Sequence, residues 1–512
     1  MGITAPDWNH CGDGATGDEP VGCTGIRIGG FERCLGHLGQ EERLAYLATL
    51  TPGDDIDARG TEISGELLDE LLDALCRPGE ERPRCGRARF DKAVFTGAAH
   101  FNMVCFDKGA WFREARFRQD AVFAGALFGS AARFDGAEFH ALANFDEVRC
   151  TADGTTPAGH LVFRGASFAT GPWFMGAHGV RLLDLRESHI TRHTVAQVVA
   201  DHVDFTGAWF EAPVTLKASG ASIDLTRARL AERCTLTSME HHVAHSGIPA
   251  YPTAPDQRPS VTSLSGVDAS MLLLFDVDLS RCVFGGTHHL DQLQIEGSCV
   301  FAEPPRGRRW TRRHVIVEEA WWRGWQTPGP APYPAALADT YRQLRKARED
   351  ARDEPGAADF YYGEMEMRRH SRTWSEADRW LLQAYWLLSG YGLRASRALG
   401  WLAASMLLTI VLLTGFGLPQ GSPKQQATAT VPPPGGKVTF EIDKQDPENP
   451  TGDRFTGKRL EKALEVTLHS TVFRSGGQDL TVAGGYIEMA SRFSEPVLLG
   501  LAALAIRGRM KR

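Results

Sequence analysis

Residues 86–145 read GRARFDKAVFTGAAHFNMVCFDKGAWFREARFRQDAVFAGALFGSAARFDGAEFHALANF, and this stretch decides the fold. Phenylalanine falls at 90, 95, 101, 106, 112, 117, 123, 128, 134, 139 and 145, in steps that alternate between five and six. Two positions before each stands a small residue: Ala88, Ala93, Ala99, Ala110, Ala115, Ala121, Ala126, Ala132, Ala137 and Ala143, with Val104 the one substitute. A helix repeats about every 3.6 residues and a flat strand about every 2, so neither accounts for the pattern. A coil with short straight sides does. Each unit turns one large and one small side chain inward, and stacking coils about 4.8 Å apart lines the phenylalanines up in ladders. Spacing alone leaves a three-sided and a four-sided coil open.

The pattern resumes further along the chain. Phe163, Phe168 and Phe174 keep the rhythm with Ala166 in the small position, and Phe205, Phe210 and Leu216 repeat it with Ala208 and Val214. Leu225, Leu230 and Leu236 follow, then Leu279, Phe284, Leu290, Ile295 and Phe301. Segments 151–160, 191–202 and 237–260 interrupt it and are expected to be loops outside the coil. The whole resembles the pentapeptide-repeat family, in the variant with alternating five and six spacing. The resemblance covers 86–301 and implies a mainly β fold, a right-handed quadrilateral β-helix. Some members of that family mimic DNA with an acidic solenoid. Here 86–301 holds 23 Asp and Glu against 19 Lys and Arg, too even for such a field. The net charge of −7 likewise argues against a nucleic-acid partner. The coil reads instead as a scaffold for an unknown protein partner, with a homo-oligomer also compatible.

The flanks differ from the coil. Residues 1–85 read as a Cys-containing cap with a short amphipathic helix over 39–51. In it, DIDARGTEIS reads as a strand and GELLDELLDALC as a helix with Leu67, Leu68, Leu71, Leu72 and Leu75 on one face. Such a cap covers the open end of a solenoid. After 301 the composition turns basic, then aromatic and Pro-rich, marking 302–334 as a linker. Two helical patterns, 335–352 and 356–370, form an αα-hairpin within a cytoplasmic helical region, 335–392. Ala398–Leu418 is 21 residues without a charge and reads as a transmembrane helix. A second span is expected over 486–506, where Glu488 and Arg492 stand four apart; the alternative starts that helix at Ser494. Arg394 and Arg397 precede the first span, and Arg507, Arg509, Lys511 and Arg512 form a basic tail, 507–512, after the second. The positive-inside rule then puts the N- and C-termini in the cytoplasm and 419–485 outside. The C-terminal third also resembles a two-helix ion-channel module, which implies a pore-helix-like segment in 419–485. The TxGYG-like filter of that module is missing from TLHSTVFRSGGQDLTVAGGYIE.

Chemistry-bearing residues are few. Cys11, Cys23, Cys34 and His37 are the donor set that suits zinc, and three Cys with one His is a closed structural combination. His10 is an alternative ligand, and small buried thiols are the competing reading. Glu240, His241 and His245 offer a second donor group, and His288 and His289 a third; both read as solvated loop residues. There is no GxxxxGK[ST] and no GxSxG, and GDRFTGKR at 452–459 has Arg459 where magnesium needs a hydroxyl. The chain also resembles proteins labelled membrane-associated oxidoreductase. That likeness implies redox activity, while no flavin, nicotinamide or haem motif stands in the sequence and no catalytic residue can be named. The start MGITAPDWNHCGDG lacks a secretory pattern, and Pro6 does not fit myristoylation. Ten scattered cysteines suit a reducing compartment better than a disulfide framework.

Overall fold

Two kinds of corner produce the five–six rhythm. In the computed structural model, the carbonyl of Phe90 accepts from the N–H of Ala93, that of Phe112 from Ala115 and that of Phe134 from Ala137. The residue before each acceptor turn closes has positive φ: Lys92 at 58°, Glu114 at 55° and Gly136 at 65°. These are tight type II corners, which need a left-handed residue at their third position. They give the five-residue step; the corners after Phe95, Phe117 and Phe139 are looser and give the six.

The structure describes residues 5–17, 19–77, 79, 82–150, 159–239, 258–305, 313–326, 329, 332–419, 425–429, 440–444, 447–448, 451–469 and 480–510. Glu240, His241, His245 and the filter-like positions 470–479 lie outside these. The described chain divides into two units, Met1–Glu364 and Met365–Arg512.

The first unit carries a parallel β-solenoid. Four stacks of paired strands define four sides. Ala88 pairs with Ala110 and Ala110 with Ala132 on one side. Phe95, Phe117, Phe139 and Phe168 are in register on the next. Ala99, Ala121 and Ala143 align on the third, and Cys85, Phe106, Phe128 and Cys150 on the fourth. The coil is therefore four-sided. Inside, every Phe from Phe90 to Phe145 is buried, as is each small residue two before it. Phe95 stacks on Phe117 at 4.7 Å and Phe117 on Phe139 at 4.8 Å, while Phe101 stacks on Phe123 at 4.9 Å. These spacings match the separation of neighbouring strands, so strand pairing and ring stacking reinforce each other. Rings of adjacent ladders meet edge-on, as Phe112 and Phe123 do at 5.4 Å.

Two features depart from the sequence reading. First, Ile56 pairs with Ala88, and Glu62 and Ile63 with Val94 and Phe95. Residues 56–63 thus supply two sides of a turn ahead of the first Phe, within the segment read as cap. Ile56, Ala58 and Ile63 fill its interior without a phenylalanine, so the Phe spacing did not reveal it. Second, 191–202 is not an outer loop. Thr194–Asp204 is a strand paired with Phe174–Asp184 on one side and Val214–Ser219 on the other. Thr194, Ala196, Val198 and Ala200 alternate inward, a period of two carried by small residues. From here on the ladders are mostly Leu, Ile and Val, as the pattern Leu225, Leu230 and Leu236 indicates, with Val203 on Ile223 and Leu236 on Leu274.

Helix α1 spans Gln40–Leu47, and α2 spans Gly65–Asp73. Ser64 caps α2 by accepting from the Leu67 N–H at 3.2 Å, and Leu67, Leu68, Leu71 and Leu72 are buried. At the other end of the solenoid come α3, Val317–Trp322, and α4, Pro334–Asp350, followed by α5, Glu354–Ser371. The hairpin of α4 and α5 is joined by Arg345 to Glu364 at 2.7 Å and by the Tyr341 and Phe360 rings.

The second unit holds α6, Ala377–Ser389, α7, Ala395–Leu412, α8, Gly457–Leu468, and α9, Val482–Met510. Two stretches, Ala395–Gly417 and Val482–Arg507, are long and apolar enough to cross a membrane. Helix α9 begins before Ser494, and Glu488 and Arg492 pair on it at 2.8 Å. Glu495 is buried and accepts a hydrogen bond from Thr409 of α7 at 2.9 Å. Among nonpolar surroundings a carboxylate needs such a partner.

Candidate metal centre

The cap is folded by backbone hydrogen bonds between short segments. Cys11 donates to Gly25 at 2.7 Å, Gly12 to Cys23 at 2.9 Å and Cys23 to Asp13 at 2.9 Å. These put Cys11 and Cys23 side by side on two antiparallel stretches. A 3-10 turn, Leu35–His37, follows Cys34, and the His37 N–H bonds back to the Cys34 carbonyl at 2.9 Å. That turn sets the Cys34 sulfur and the His37 ring on one side.

The four donors converge. Cys23 Sγ lies 3.7 Å from Cys34 Sγ, Cys34 Sγ 3.3 Å from His37 Nδ1, and Cys11 Sγ 3.8 Å from His37 Nδ1. All four ligand atoms are within 4.8 Å of one another. Around a tetrahedral ion with metal–sulfur bonds of about 2.3 Å and metal–nitrogen bonds of about 2.0 Å, neighbouring sulfurs stand about 3.8 Å apart and sulfur and nitrogen about 3.5 Å. The group is able to hold a metal ion. Disulfides are not the alternative: all ten cysteines are free, and 3.7 Å is far from a bonded S–S distance.

The surroundings suit ligation. A hydrogen bond from the Cys34 thiol, aided by the Gly25 N–H at 3.3 Å, holds the Cys23 thiol down at about 5 against the cost of burial. The same hydrogen bond, and then burial, raise Cys34. Metal ligation replaces this sharing of one proton with two thiolates. His37 turns its other nitrogen, Nε2, toward Asp13 Oδ2 at 3.6 Å, the arrangement that orients a ligating imidazole.

The sequence-derived ligands Cys11, Cys23, Cys34 and His37 are thus brought together. His10 is not part of this group; its backbone bridges to Ile26. His289 bonds Asp268 at 3.0 Å, and no metal group forms around it or His288 among the described residues. Asp13 was missed by the sequence reading, since nothing local marks it as a partner of a residue 24 positions on.

Beside the cap lies a cavity of about 470 Å³ walled by Trp8 and Trp111, with Arg59, Arg89, Arg113 and Asp91 around it. Arg59 is held over the Trp8 ring and pairs with Asp57 at 2.9 Å. Similar pairs climb this side of the coil: Arg113 with Asp91, Arg133 with Asp135, and Arg186 with both Asp184 and Asp204.

The family described as Pentapeptide repeats (9 copies) matches residues 90–138 and 105–149. Residues 90–149 are pentapeptide repeats. No curated protein and no solved structure matches the chain. The pentapeptide-repeat match lies on the Phe-laddered coils; the aliphatic coils beyond 174 continue the same solenoid through paired strands.

Proposed function

We propose that this protein is a membrane-anchored pentapeptide-repeat scaffold, its solenoid a cytoplasmic binding platform and its Cys11, Cys23, Cys34 and His37 group a zinc site. One observation carries the platform reading. The repeat interior is filled with stacked Phe and Ala, so recognition falls to the outer faces. Those faces carry alternating Arg and Asp, and beside them the cavity between Trp8 and Trp111. Aromatic and Arg residues are the types that dominate protein recognition.

Anchoring rests on Ala395–Gly417 and Val482–Arg507 as spans. Arg394 and Arg397 at the start of one, and Arg507 and Arg509 at the end of the other, support a hairpin with both ends cytoplasmic. Exposed Trp374, Trp380 and Trp401 near the start of the first span suit the headgroup layer. Zinc is favoured over other ions by three soft thiolates and one imidazole in a closed, four-donor group.

The full chain is expected to stay in membranes through alkaline carbonate extraction. In right-side-out vesicles its solenoid is expected to resist added protease, and to be cut once the vesicles are opened. Release by carbonate would defeat anchoring, and cleavage in sealed vesicles would defeat the cytoplasmic placement.

A further inference from the structure

Residues 5–38 form a small structure with almost no core of its own. Its buried apolar side chains are Cys11, Ile28, Cys34, Leu35 and Leu38, and two of these are ligand cysteines. Three aliphatic side chains cannot hold a segment of this size; structures so small use disulfides or a metal. No disulfide is present.

The same segment sits directly on the first coil. Ile26 donates to the Arg59 carbonyl at 2.8 Å, and Thr24 Oγ1 to the Gly60 carbonyl at 3.3 Å. Contact is too close for side chains at three glycines. A Cβ on Gly36 would stand 2.4 Å from the Glu62 carbonyl oxygen, one on Gly60 2.5 Å from that of Thr24, and one on Gly25 3.1 Å from Thr61 Oγ1 in the coil as well as 2.8 Å from Cys34 Sγ within the cap. Thr61 and Ile63, beneath this contact, are fully buried. All four donors belong to the cap, and they come from its two halves: Cys11 and Cys23 from the paired stretches bonded to Arg59, Cys34 and His37 from the turn lying against Glu62.

Resting on the zinc reading above, we infer that the ion acts as a lock: it ties the two halves of the cap together over the first coil and so closes the N-terminal end of the solenoid. Four protein ligands leave no open position, so the role is structural and not catalytic. Without the ion, only weak thiol hydrogen bonds and a few backbone bonds hold the three thiols and the imidazole together, and the segment has too little core to stay. The turn at 56–63 then presents unpaired strand edge to other chains. Because the ligands assemble only in the folded cap, binding free energy becomes folding free energy of this region.

The test uses the full chain purified in mild detergent, with metal content and amide hydrogen exchange measured on the same sample. One zinc per chain is expected, lost in Cys34→Ser and His37→Ala and kept in Cys105→Ser. Cobalt substituted for zinc is expected to show the visible band of a tetrahedral thiolate site. On chelation, exchange of the Cys11, Cys23 and Ile26 amides is expected to rise by about a hundredfold or more, while Phe112 and Phe123 stay unchanged. Restoring zinc should reverse this. Zinc bound at one per chain with no change in those amides on its removal would overturn the lock and leave the zinc reading standing. Absence of zinc, with no cobalt band, would overturn both. A rise in exchange at Phe112 as well would also overturn the lock, since the ion would then support the whole coil and not its end.

Discussion

The two ends of the solenoid are closed by opposite chemistry. At the C-terminal end the chain supplies both signs of charge. Arg313 grips Glu319 with two bonds of 2.6 Å, Arg323 adds a third at 2.6 Å, and the Tyr341 hydroxyl donates to the same carboxylate. Beside it, Glu318 accepts from the Phe284 and Gly285 N–H groups at 2.6 and 2.8 Å and so caps the last coils. At the N-terminal end the converging group holds only electron donors, Cys11, Cys23, Cys34 and His37. A buried cluster with internal cations is complete; a cluster of donors alone calls for a cation from outside. The difference teaches why one end should depend on metal and the other should not.

Metal removal tests the contrast most strongly. Structural zinc in small modules is worth about 10–16 kcal/mol in apparent terms, enough to unfold the cap outright. Chelation is expected to open cleavage by added protease within 5–38 and to leave the region around Arg313 and Glu319 intact. After chelation, Cys34→Ser and the parent chain are expected to be cut at the same rate; a persistent difference would mean Cys34 acts without the ion.

Glu319→Gln is expected to cost about 3–5 kcal/mol in denaturant melts, because Arg313 is left buried with its charge uncompensated. Chelation should add the same loss to this variant as to the parent. A loss below about 1 kcal/mol would break the picture of a self-sufficient charged end. Phe117→Ala, in the middle of a ladder, is expected to cost a similar amount, about 3–5 kcal/mol, independent of metal.

The neighbouring glutamates should respond to pH in opposite senses. Burial raises Glu318 above its ordinary 4.5, with the bonds from its own N–H, Gly285 and Phe284 offsetting only part. Its contribution is full below about that value and is lost as pH rises through the raised one. Burial would raise Glu319 too, but Arg313, Arg323 and the Tyr341 hydroxyl outweigh it and hold it below 4.5. Its contribution is present above the ordinary value and is lost as pH falls through the lowered one. Stability–pH curves should therefore show Glu318→Gln gaining on the parent chain as pH rises and Glu319→Gln approaching it as pH falls. Parallel curves would refute the assignment. The smallest effect is expected at Arg116, exposed and paired with Glu138 at 3.3 Å, where Ala should change stability by no more than about 0.5 kcal/mol.

Much of this was legible in the chain. The alternation of five and six at Phe90–Phe145 determined the solenoid, because the period of inward side chains is a local property of backbone geometry. The uncharged run 398–418 likewise announced a helix of spanning length, whereas 486–506, with Glu488, Arg492 and Glu495 in it, left a shorter helix from Ser494 open. Cysteine and histidine identity named the donors. Tertiary structure alone decided the rest. It showed four sides, made 56–63 two sides of a turn without phenylalanine, and turned Thr194–Asp204 into a paired strand. It brought Cys11 and Cys23 to Cys34 and His37, and set Asp13 against the imidazole. It also buried Arg313, Glu319 and Tyr341, residues whose charge or polarity reads as surface in the sequence. Periodicity is written between near neighbours, whereas convergence and burial depend on which distant segments meet.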